Sequence, residues 1–279
     1  MNILILGGKG LLGSYLRRVL GEQHTVSAPS KEDLNISDTR AIEEFLNIHS
    51  IDYIINAAGM TNVYMCEKKS EMAMEINAHA PGRIASLCSR TNRGMIYFST
   101  NFIFDGEKNA PYIEEDTPNP LNVYAESKFA GENAVLEAYS NALIIRSAEI
   151  FGVGNSSPGH NIPYYIVRQI MNRRKIHLYD IKTSPTYALH IARRIGPLME
   201  NDISGILHLV NEGECTYFEI ADMIFDLMNR KSGISPKKSV FDFDAPTNIV
   251  MKSSRIEDLP VDRMPSLEQA LEEFIREVL

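Results

Sequence analysis

Short apolar runs alternate with longer amphipathic stretches along residues 1–150 of the chain. The apolar runs predict β-strands, and apolar residues at three-to-four spacing between them predict helices. The predicted strands are Asn2–Leu6, His24–Ala28, Asp52–Ala57, Met95–Ser99 and Ala142–Arg146. The predicted helices are Leu11–Leu20, Thr39–Ile48, Met72–Arg90 and Ala125–Tyr139. The strict alternation predicts an α/β fold with a Rossmann-like, doubly wound parallel sheet that binds its ligand at the carboxyl ends of the strands.

The alternation stops after Gly152, and the second half of the chain has a looser pattern. Its predicted elements are a helix at Tyr164–Met171, a strand at Ile206–Val210 and helices at Ile220–Met228 and Ala270–Val278. The last two helices follow capping-box pairs, which are Thr216 with Glu219 and Ser266 with Gln269. We therefore expect a dinucleotide-binding domain over residues 1–150 and a smaller α/β lobe, mostly substrate-binding, over residues 151–279. Part of 176–212 is expected to return to the first domain.

A glycine-rich segment joins the first predicted strand to the first predicted helix: Gly7-Gly8-Lys9-Gly10-Leu11-Leu12-Gly13. Its first and middle glycines let the backbone turn tightly and approach a pyrophosphate, and its last glycine allows close helix packing. The start of the helix adds amide donors and the positive end of the helix dipole. The alternative is a glycine-rich turn without a ligand. We predict dinucleotide binding with contacts from Gly7, Gly10, Leu11, Leu12 and Gly13.

The end of the second predicted strand indicates which dinucleotide binds. An acidic residue there would bind the 2'-hydroxyl of the NAD ribose. This chain has Ser30 and Lys31 instead, and a hydroxyl with a cation favours a 2'-phosphate. We predict NADPH, although Glu32 and Asp33 follow closely and keep NADH use open. The alternative for Lys31 is a solvated loop charge.

A second group of polar residues combines a hydroxyl pair with a helical Tyr-Lys pair. Ser99-Thr100 ends a predicted strand, and Tyr124 precedes Lys128 by four residues on a predicted helix. This spacing places the phenol and the ammonium on one helix face, where the cation can lower the phenol pKa and hold the nicotinamide ribose. The Tyr-x-x-x-Lys pattern alone is common in helices, but the upstream glycine motif supports a functional interpretation.

Composition excludes several classes of protein. The 28 Lys and Arg residues against 36 Asp and Glu leave a net charge of −8, which argues against nucleic acid or a membrane surface as partner. The 3 cysteines are widely spaced and indicate neither a disulfide framework nor a CxxC site. The first apolar stretch is too short to span a membrane and lacks a signal-peptide pattern, so we expect a cytoplasmic protein. The 7 histidines stand singly, so no metal site is predicted.

Over most of its length the chain resembles the extended short-chain dehydrogenase/reductase family, and in particular the dTDP-4-dehydrorhamnose reductases. Besides the motifs above, the resemblance rests on Asn56-Ala57-Ala58-Gly59, Glu75-Ile76-Asn77-Ala78, Phe98-Ser99-Thr100-Asn101-Phe102-Ile103-Phe104-Asp105-Gly106, Pro120-Leu121-Asn122-Val123-Tyr124 and Lys128-Phe129-Ala130-Gly131-Glu132. The resemblance implies NADPH-dependent reduction of the keto group of a nucleotide-linked 4-keto-6-deoxy sugar, a step of deoxysugar biosynthesis. The resemblance is also compatible with a homodimer.

The resemblance also implies roles for single residues. Thr100, Tyr124 and Lys128 would form the catalytic triad, with Thr100 at the keto oxygen and Tyr124 as the proton donor. Further cofactor contacts would be Asn35 and Ile36 beside the adenine, Ala57, Ala58 and Gly59 under the cofactor, and Ser99. The residues expected to face the substrate are Thr61, Thr100, Asn101, Phe102, Tyr124 and Glu149.

Residues on the sugar side depart from the family's pattern, whereas those on the cofactor side are kept. Asn101 stands in place of an aspartate, and Glu149 in place of a tryptophan that faces the substrate. Tyr64-Met65-Cys66 and Val250-Met251 replace an Asp-Lys and an Arg-Pro pair. A carboxylate at position 149 accepts hydrogen bonds from hydroxyl groups, which indicates a more polar sugar. The alternative is that Glu149 turns to solvent or neutralises an arginine.

Two other functions stay open at this point. A nucleotide-sugar epimerase or dehydratase shares the fold, but the dehydratases place Asp-Glu after the threonine, where this chain has Asn101-Phe102. A non-catalytic, NADP-binding regulatory subunit, similar to the beta subunit of methionine adenosyltransferase, would also keep Tyr124 and Lys128. The changed residues on the sugar side are compatible with that alternative.

Overall fold

The computed structural model describes residues 1–154, 161–230, 237–239 and 243–279, the third range by its backbone alone. The strands are β1 Asn2–Leu6, β2 Thr25–Ser27, β3 Tyr53–Asn56, β4 Gly94–Thr100, β5 Leu143–Ser147, β6 Ile150–Phe151, β7 His177–Tyr179, β8 Lys182–Thr183, β9 Thr186–Tyr187, β10 Gly205–His208, β11 Cys215–Thr216 and β12 Lys237–Ser239. The α-helices are α1 Leu11–Leu20, α2 Thr39–Ile48, α3 Val63–Lys68, α4 Ser70–Met74, α5 Ala80–Thr91, α6 Val123–Ala138, α7 Ile162–Met171, α8 Ala188–Glu200, α9 Tyr217–Leu227 and α10 Leu267–Val278. Short 3₁₀ turns lie at Asn101–Ile103 and Ile256–Asp258.

A six-stranded parallel sheet in the order β10-β5-β4-β3-β1-β2 forms the centre of the fold. Strand β1 lies between β2 and β3, so the strand order reverses beside it and leaves a crevice at the carboxyl edge. Strand β10 comes from the second half of the chain and pairs with β5, with Gly205 opposite Leu143. The predicted Rossmann-like α/β fold is confirmed.

Each face of the sheet carries an apolar core. Ile3 and Ile5 of β1 point to one face and Leu4 and Leu6 to the other, because successive strand residues alternate, and all four side chains are buried. The first core contains residues of α1 and α8 and continues into α7, α9 and α10. The second contains residues of α2 and α5. The second half of the chain therefore shares its core with one face of the sheet.

A π-helical turn, Glu75–His79, interrupts the predicted helix Met72–Arg90 between α4 and α5. Pro81 has no N–H, so the Asn77 carbonyl four residues earlier receives no α-helical hydrogen bond from it. That carbonyl accepts a hydrogen bond from the Tyr97 hydroxyl of β4 at 2.7 Å. The turn is therefore fastened to the sheet by the group that the proline leaves free.

Most other elements lie close to their predicted bounds. Helices α1 and α2 have the predicted ends, and both capping boxes are formed. Helices α3 and α8 were not predicted from the sequence. Helix α8 contains Gly196 followed by Pro197, a pair that usually breaks helices, but the proline lies in the last turn of this one.

No helix in the described ranges is long and apolar enough to cross a membrane. Within the same ranges, no three His, Cys, Asp or Glu side chains are grouped to hold a metal ion. Cys66, Cys88 and Cys215 are all buried free thiols.

The close packing around Gly131 of α6 should make stability sensitive to a substitution at this position. A Cβ atom at this position would lie 2.1 Å from the Asn77 carbonyl oxygen and 2.5 Å from the Tyr97 hydroxyl, so Gly131→Ala must push α6 away from the sheet. We expect the free energy of unfolding to fall by about 1–3 kcal/mol, measured by urea denaturation. Gly196→Ala is the matched control, since its Cβ would find its nearest neighbour at 3.8 Å. That control is expected to be neutral or more stable by up to about 1 kcal/mol, and equal effects of the two variants would contradict the close contact.

Candidate active site

The glycine turn between β1 and α1 is closed by direct backbone contacts. Gly7 has a φ of +83°, and a Cβ there would lie 2.7 Å from the Ala58 amide nitrogen. A Cβ at Gly13 would lie 2.2 Å from the Gly7 carbonyl oxygen, so only glycine lets α1 start this close to the turn. Helix α1 begins after Gly10 without a side-chain cap. Its first amides are therefore free to bind an anionic group, as dinucleotide binding requires.

The residues predicted to select the cofactor lie on the loop after β2. Ser30 is buried, and its hydroxyl donates to the Asp33 carboxylate at 2.7 Å, while Lys31 is exposed. The hydrogen bonds from Ser30, helped by the charge of Lys9, hold the pKa of Asp33 below its usual value. The Asp33 carboxylate therefore lies next to Ser30 and Lys31, the two predicted contacts of the 2'-phosphate. Lys9 adds a second positive charge near this carboxylate.

The predicted adenine contacts, Asn35 and Ile36, follow on the same loop. Asn35 is exposed, and its side-chain oxygen accepts the Ser37 amide at 3.1 Å. Ile36 is buried in the core on the α2 side of the sheet. Of these two residues, therefore, only Asn35 has its side chain on the surface.

Asn77 fixes the loop after β3 that contains Ala57, Ala58 and Gly59. Its side-chain oxygen accepts the Met60 amide at 2.8 Å, and its nitrogen donates to the Met60 carbonyl at 2.9 Å and to Ser127 of α6 at 2.9 Å. This buried amide thus joins the loop to α6. In the sequence, Asn77 stands only within the motif Glu75-Ile76-Asn77-Ala78, and its role was not predicted; its signal was a single amide in a helix that packs on the sheet.

Two side chains hold the start of α6, on which Tyr124 and Lys128 lie. Asn122 accepts the Ala125 amide at 3.0 Å, and Glu67 of α3 accepts the Val123 amide at 2.8 Å. A carboxylate at a helix N-terminus is stabilised by the free amides and the helix dipole. The position of Tyr124 in the first turn therefore depends on both caps.

Thr100 and Tyr124 meet at the carboxyl end of β4. The Thr100 hydroxyl lies close enough to the Tyr124 phenol to act on its pKa, and the Phe102 ring lies edge-on to the Tyr124 ring with centroids 5.9 Å apart. Burial raises the pKa of Tyr124 to about 12, and the nearby Thr100 hydroxyl opposes this shift only in part. The expected lowering of the phenol pKa by Lys128 is wrong for this structure, because burial raises that pKa and the contribution that lowers it comes from Thr100. The phenol is therefore fully protonated at neutral pH.

Lys128 lies one helical turn beyond Tyr124 and is buried. Its ammonium donates to the Phe98 carbonyl of β4 at 2.5 Å and lies 4.1 Å from the centroid of the Tyr97 ring. Burial lowers the pKa of Lys128 to about 7, and the charge of Glu132 opposes this shift. No carboxylate within the described residues forms an ion pair with this ammonium.

Two buried polar atoms at the ends of adjacent strands have no hydrogen-bond partner in the described structure. They are the Ser99 hydroxyl of β4 and the side-chain nitrogen of Asn56 of β3. An unsatisfied buried polar group costs about 1–3 kcal/mol, so a ligand that pairs with them would be stabilised here. With the uncapped start of α1 and the glycine turn, these atoms fit a dinucleotide at the carboxyl edge of the sheet.

The side chain of Asn101 does not face an open cleft. It is buried, and its nitrogen donates to the Thr183 hydroxyl and to the Ile249 carbonyl, each at 3.1 Å. Asn101 therefore fastens the end of β4 to the second half of the chain. Thr61 lies on the surface. Of the predicted substrate contacts, the structure brings Thr100, Phe102 and Tyr124 together.

Glu149 is half-buried, and both of its carboxylate oxygens are engaged. One accepts the amides of Asn161 and Ile162 at the start of α7, at 2.9 and 3.2 Å. The other accepts the Tyr217 hydroxyl of α9 at 2.9 Å. Its charge also contributes to the raised pKa of Tyr124, after the larger effect of burial. Glu149 thus fastens two helices of the second half near the site, and its contact with a sugar stays a prediction.

Comparison with known proteins assigns the family. The whole chain, residues 1–279, matches the family model of the RmlD substrate binding domain. The chain is 32% identical over 232 residues to the dTDP-4-dehydrorhamnose reductase of Mycobacterium tuberculosis, covering 81% of this chain and 75% of that protein. It is 30% identical over 259 residues to the probable low-salt glycan biosynthesis reductase Agl14 of Haloferax volcanii, covering 88% and 86%.

A solved structure agrees with this assignment. The dTDP-4-dehydrorhamnose reductase of Bacillus anthracis, crystallised in complex with NADP, superimposes with a TM-score of 0.92 at 28% identity over 99% of both chains. The resemblance seen in the sequence motifs is thereby confirmed, and the chain belongs to the RmlD family of extended short-chain dehydrogenases/reductases.

Proposed function

We propose that this protein uses NADPH to reduce the keto group of a nucleotide-linked 4-keto-6-deoxy sugar. The observation that carries the proposal is the Thr100 hydroxyl beside the Tyr124 phenol at the end of β4, one helical turn from the Lys128 ammonium. The relative from M. tuberculosis is named for this reaction, and the B. anthracis structure holds NADP. The site accordingly belongs to an oxidoreductase of deoxysugar or polysaccharide biosynthesis.

Each residue of the triad has a separate task in this reaction. When bound, the cofactor supplies a hydride that forms the new C–H bond at the keto carbon. The Thr100 hydroxyl holds the keto oxygen, and Tyr124 donates its proton to that oxygen as negative charge develops there. A phenol that stays protonated at neutral pH suits this direction of proton transfer. Lys128 holds the nicotinamide ribose. The products are a secondary alcohol and the oxidised cofactor.

The cofactor is proposed to lie across the carboxyl edge of the sheet. Amides of the glycine turn and of the first turn of α1 bind the pyrophosphate. The loop after β2 binds the 2'-phosphate through Ser30 and Lys31, with Asn35 and Ile36 beside the adenine. Ala57–Gly59 and Ser99 complete the contacts near the nicotinamide.

The substrate is proposed to bind between this edge and the lobe over residues 151–279. The candidates for its recognition are Thr61, Asn101, Phe102 and Glu149. Asn101 and Glu149 would act through the helices and loops that they fasten. The acidic chain with buried free thiols fits a reaction in a reducing compartment, for which we propose the cytoplasm.

A substitution at Tyr124 tests the proton donor. Tyr124→Phe removes only the hydroxyl, so we expect NADPH affinity to stay near normal and kcat to fall by about 10²–10⁴-fold. Turnover is measured as the loss of NADPH absorbance with a panel of dTDP-, UDP-, GDP- and CDP-linked 4-keto-6-deoxy sugars. Tyr139→Phe, just beyond the other end of α6, is the matched control and should keep full activity. A Tyr124→Phe enzyme with normal kcat would contradict the assigned donor.

The ammonium of Lys128 should make NADPH affinity depend on pH. Its pKa of about 7 means that the positive charge is lost as pH rises through neutrality. We expect the Kd for NADPH to increase between about pH 6 and pH 9 in the wild-type protein, measured by fluorescence titration. In Lys128→Met this part of the pH dependence should disappear, and binding should be weak throughout. Identical pH profiles for the two proteins would show that Lys128 does not hold the cofactor.

Glu149→Gln separates sugar recognition from support of the lobe. Glutamine keeps one oxygen for the amides of α7 but removes the charge, so a carboxylate that binds a sugar hydroxyl should lose about tenfold in kcat/KM for the native sugar. Tyr217→Phe, which removes the other partner of Glu149, is the control for loss of support alone. A lower Tm with unchanged kcat/KM for every sugar would place Glu149 outside the pocket.

A further inference from the structure

Glu132 continues the spacing of the catalytic residues along α6. Tyr124, Lys128 and Glu132 follow one another at intervals of four residues, so they lie along one face of the helix. The Glu132 side chain is 1% exposed, and its charge acts on Lys128. A buried carboxylate in this position requires a partner, because an unpaired buried charge is strongly destabilising.

That partner is Arg146 of β5, which is 2% exposed. Its Nε lies 3.0 Å from one oxygen of Glu132, and its Nη2 lies 2.7 Å from the other, so the pair is bidentate. Arg146 is itself held in register opposite Ser99 of β4, and its guanidinium lies 5.5 Å from the centroid of the Phe104 ring. The direction of the Glu132 carboxylate is therefore fixed by the sheet.

The Lys128 ammonium is surrounded by few charges. Strand β4 presents the Tyr97 ring and the Phe98 carbonyl, and α3 presents the buried Cys66 thiol. Its own helix presents the protonated Tyr124 phenol on one side and Glu132 on the other. Among the described groups, Glu132 is thus the carboxylate whose charge acts on the ammonium, against the effect of burial.

We propose that the Glu132–Arg146 ion pair keeps the Lys128 ammonium charged and in position, which makes Glu132 a positioning residue for cofactor binding and turnover. Glu132 supplies the negative charge one helical turn away, and Arg146 prevents the carboxylate from turning to the ammonium and closing a direct ion pair. Lys128 thereby keeps donors free for a ribose. The inference rests on the proposed function only for the identity of the ligand that Lys128 holds.

The titration of Lys128 in the protein without cofactor tests this inference directly. Lysine labelled with ¹³C at Cε is followed by NMR against pH, and the Lys128 signal is assigned by its loss in Lys128→Met. In Glu132→Gln we expect the pKa of Lys128 to fall by about half a unit to one unit, since a nearby negative charge is removed. The pH at which NADPH affinity is lost should fall by the same amount, and Glu132→Asp should restore part of both.

Glu132→Gln leaves Arg146 buried without a charged partner and can fail to fold. The double variant Glu132→Gln with Arg146→Met removes both charges and provides the same two measurements. Glu114→Gln is the matched control, because Glu114 is a second buried carboxylate of this region that accepts hydrogen bonds from Ser254 and lies off the α6 face. It should lower stability without moving the titration of Lys128.

An unchanged Lys128 titration in a folded Glu132→Gln or double variant would overturn the inference. So would an equal shift in Glu114→Gln, which would indicate a general loss of structure. If the wild-type protein reduces none of the sugars while the Lys128 titration shifts as expected, the proposed function fails and the role of Glu132 stands.

Discussion

The close contact between helix α6 and strand β4 is the constraint on which the site depends. Gly131 brings the helix so near that no Cβ fits against the Asn77 carbonyl and the Tyr97 hydroxyl. At this separation the Lys128 ammonium reaches the Phe98 carbonyl, and the Tyr124 phenol reaches the Thr100 hydroxyl at the end of the same strand. The sheet thus supplies Thr100 and the helix supplies Tyr124 and Lys128, so the spacing between them sets the geometry of the proposed catalytic triad.

Burial in this contact determines the chemistry of both ionisable groups. It raises the pKa of Tyr124 to about 12 and lowers that of Lys128 to about 7, because in each case the charged form is disfavoured. A protonated phenol is the form that a reductase needs as proton donor. Burial disfavours the charged form of Lys128. The negative charge of Glu132, which Arg146 holds in a buried ion pair, opposes this effect.

Much of the fold could be predicted because its signals are local. The strands of a parallel sheet are continuous apolar runs, and the glycine turn and capping boxes have short sequence patterns. The π-helical turn was missed because the Asn77 carbonyl within it is bound by the Tyr97 hydroxyl of a distant strand, a contact that the local sequence does not reveal. Helix α8 was missed because Gly196 and Pro197 oppose it locally while packing on the sheet favours it.

In the candidate site, too, only the features with a local sequence pattern could be predicted. The spacing of Tyr124 and Lys128 indicated a shared helix face, but neither the direction of the phenol pKa nor the caps from Glu67 and Asn122 follows from spacing. Asn101 and Glu149 were singled out because they differ from the family's residues, and only the structure shows that both bind the second half of the chain. Contacts between distant segments are not encoded in any local pattern.

Transfer of hydride to the sugar is the central claim, and an isotope measurement tests it most directly. The protein is incubated with NADPH carrying deuterium at the reactive C4 position and with a nucleotide-linked 4-keto-6-deoxy sugar, and the product is examined by NMR. We expect one deuterium on the former keto carbon, equal in amount to the NADP⁺ formed, and the same labelled product formed about 10²–10⁴-fold more slowly by Tyr124→Phe. A converted sugar without deuterium, or no conversion of any sugar despite tight NADPH binding, would contradict it.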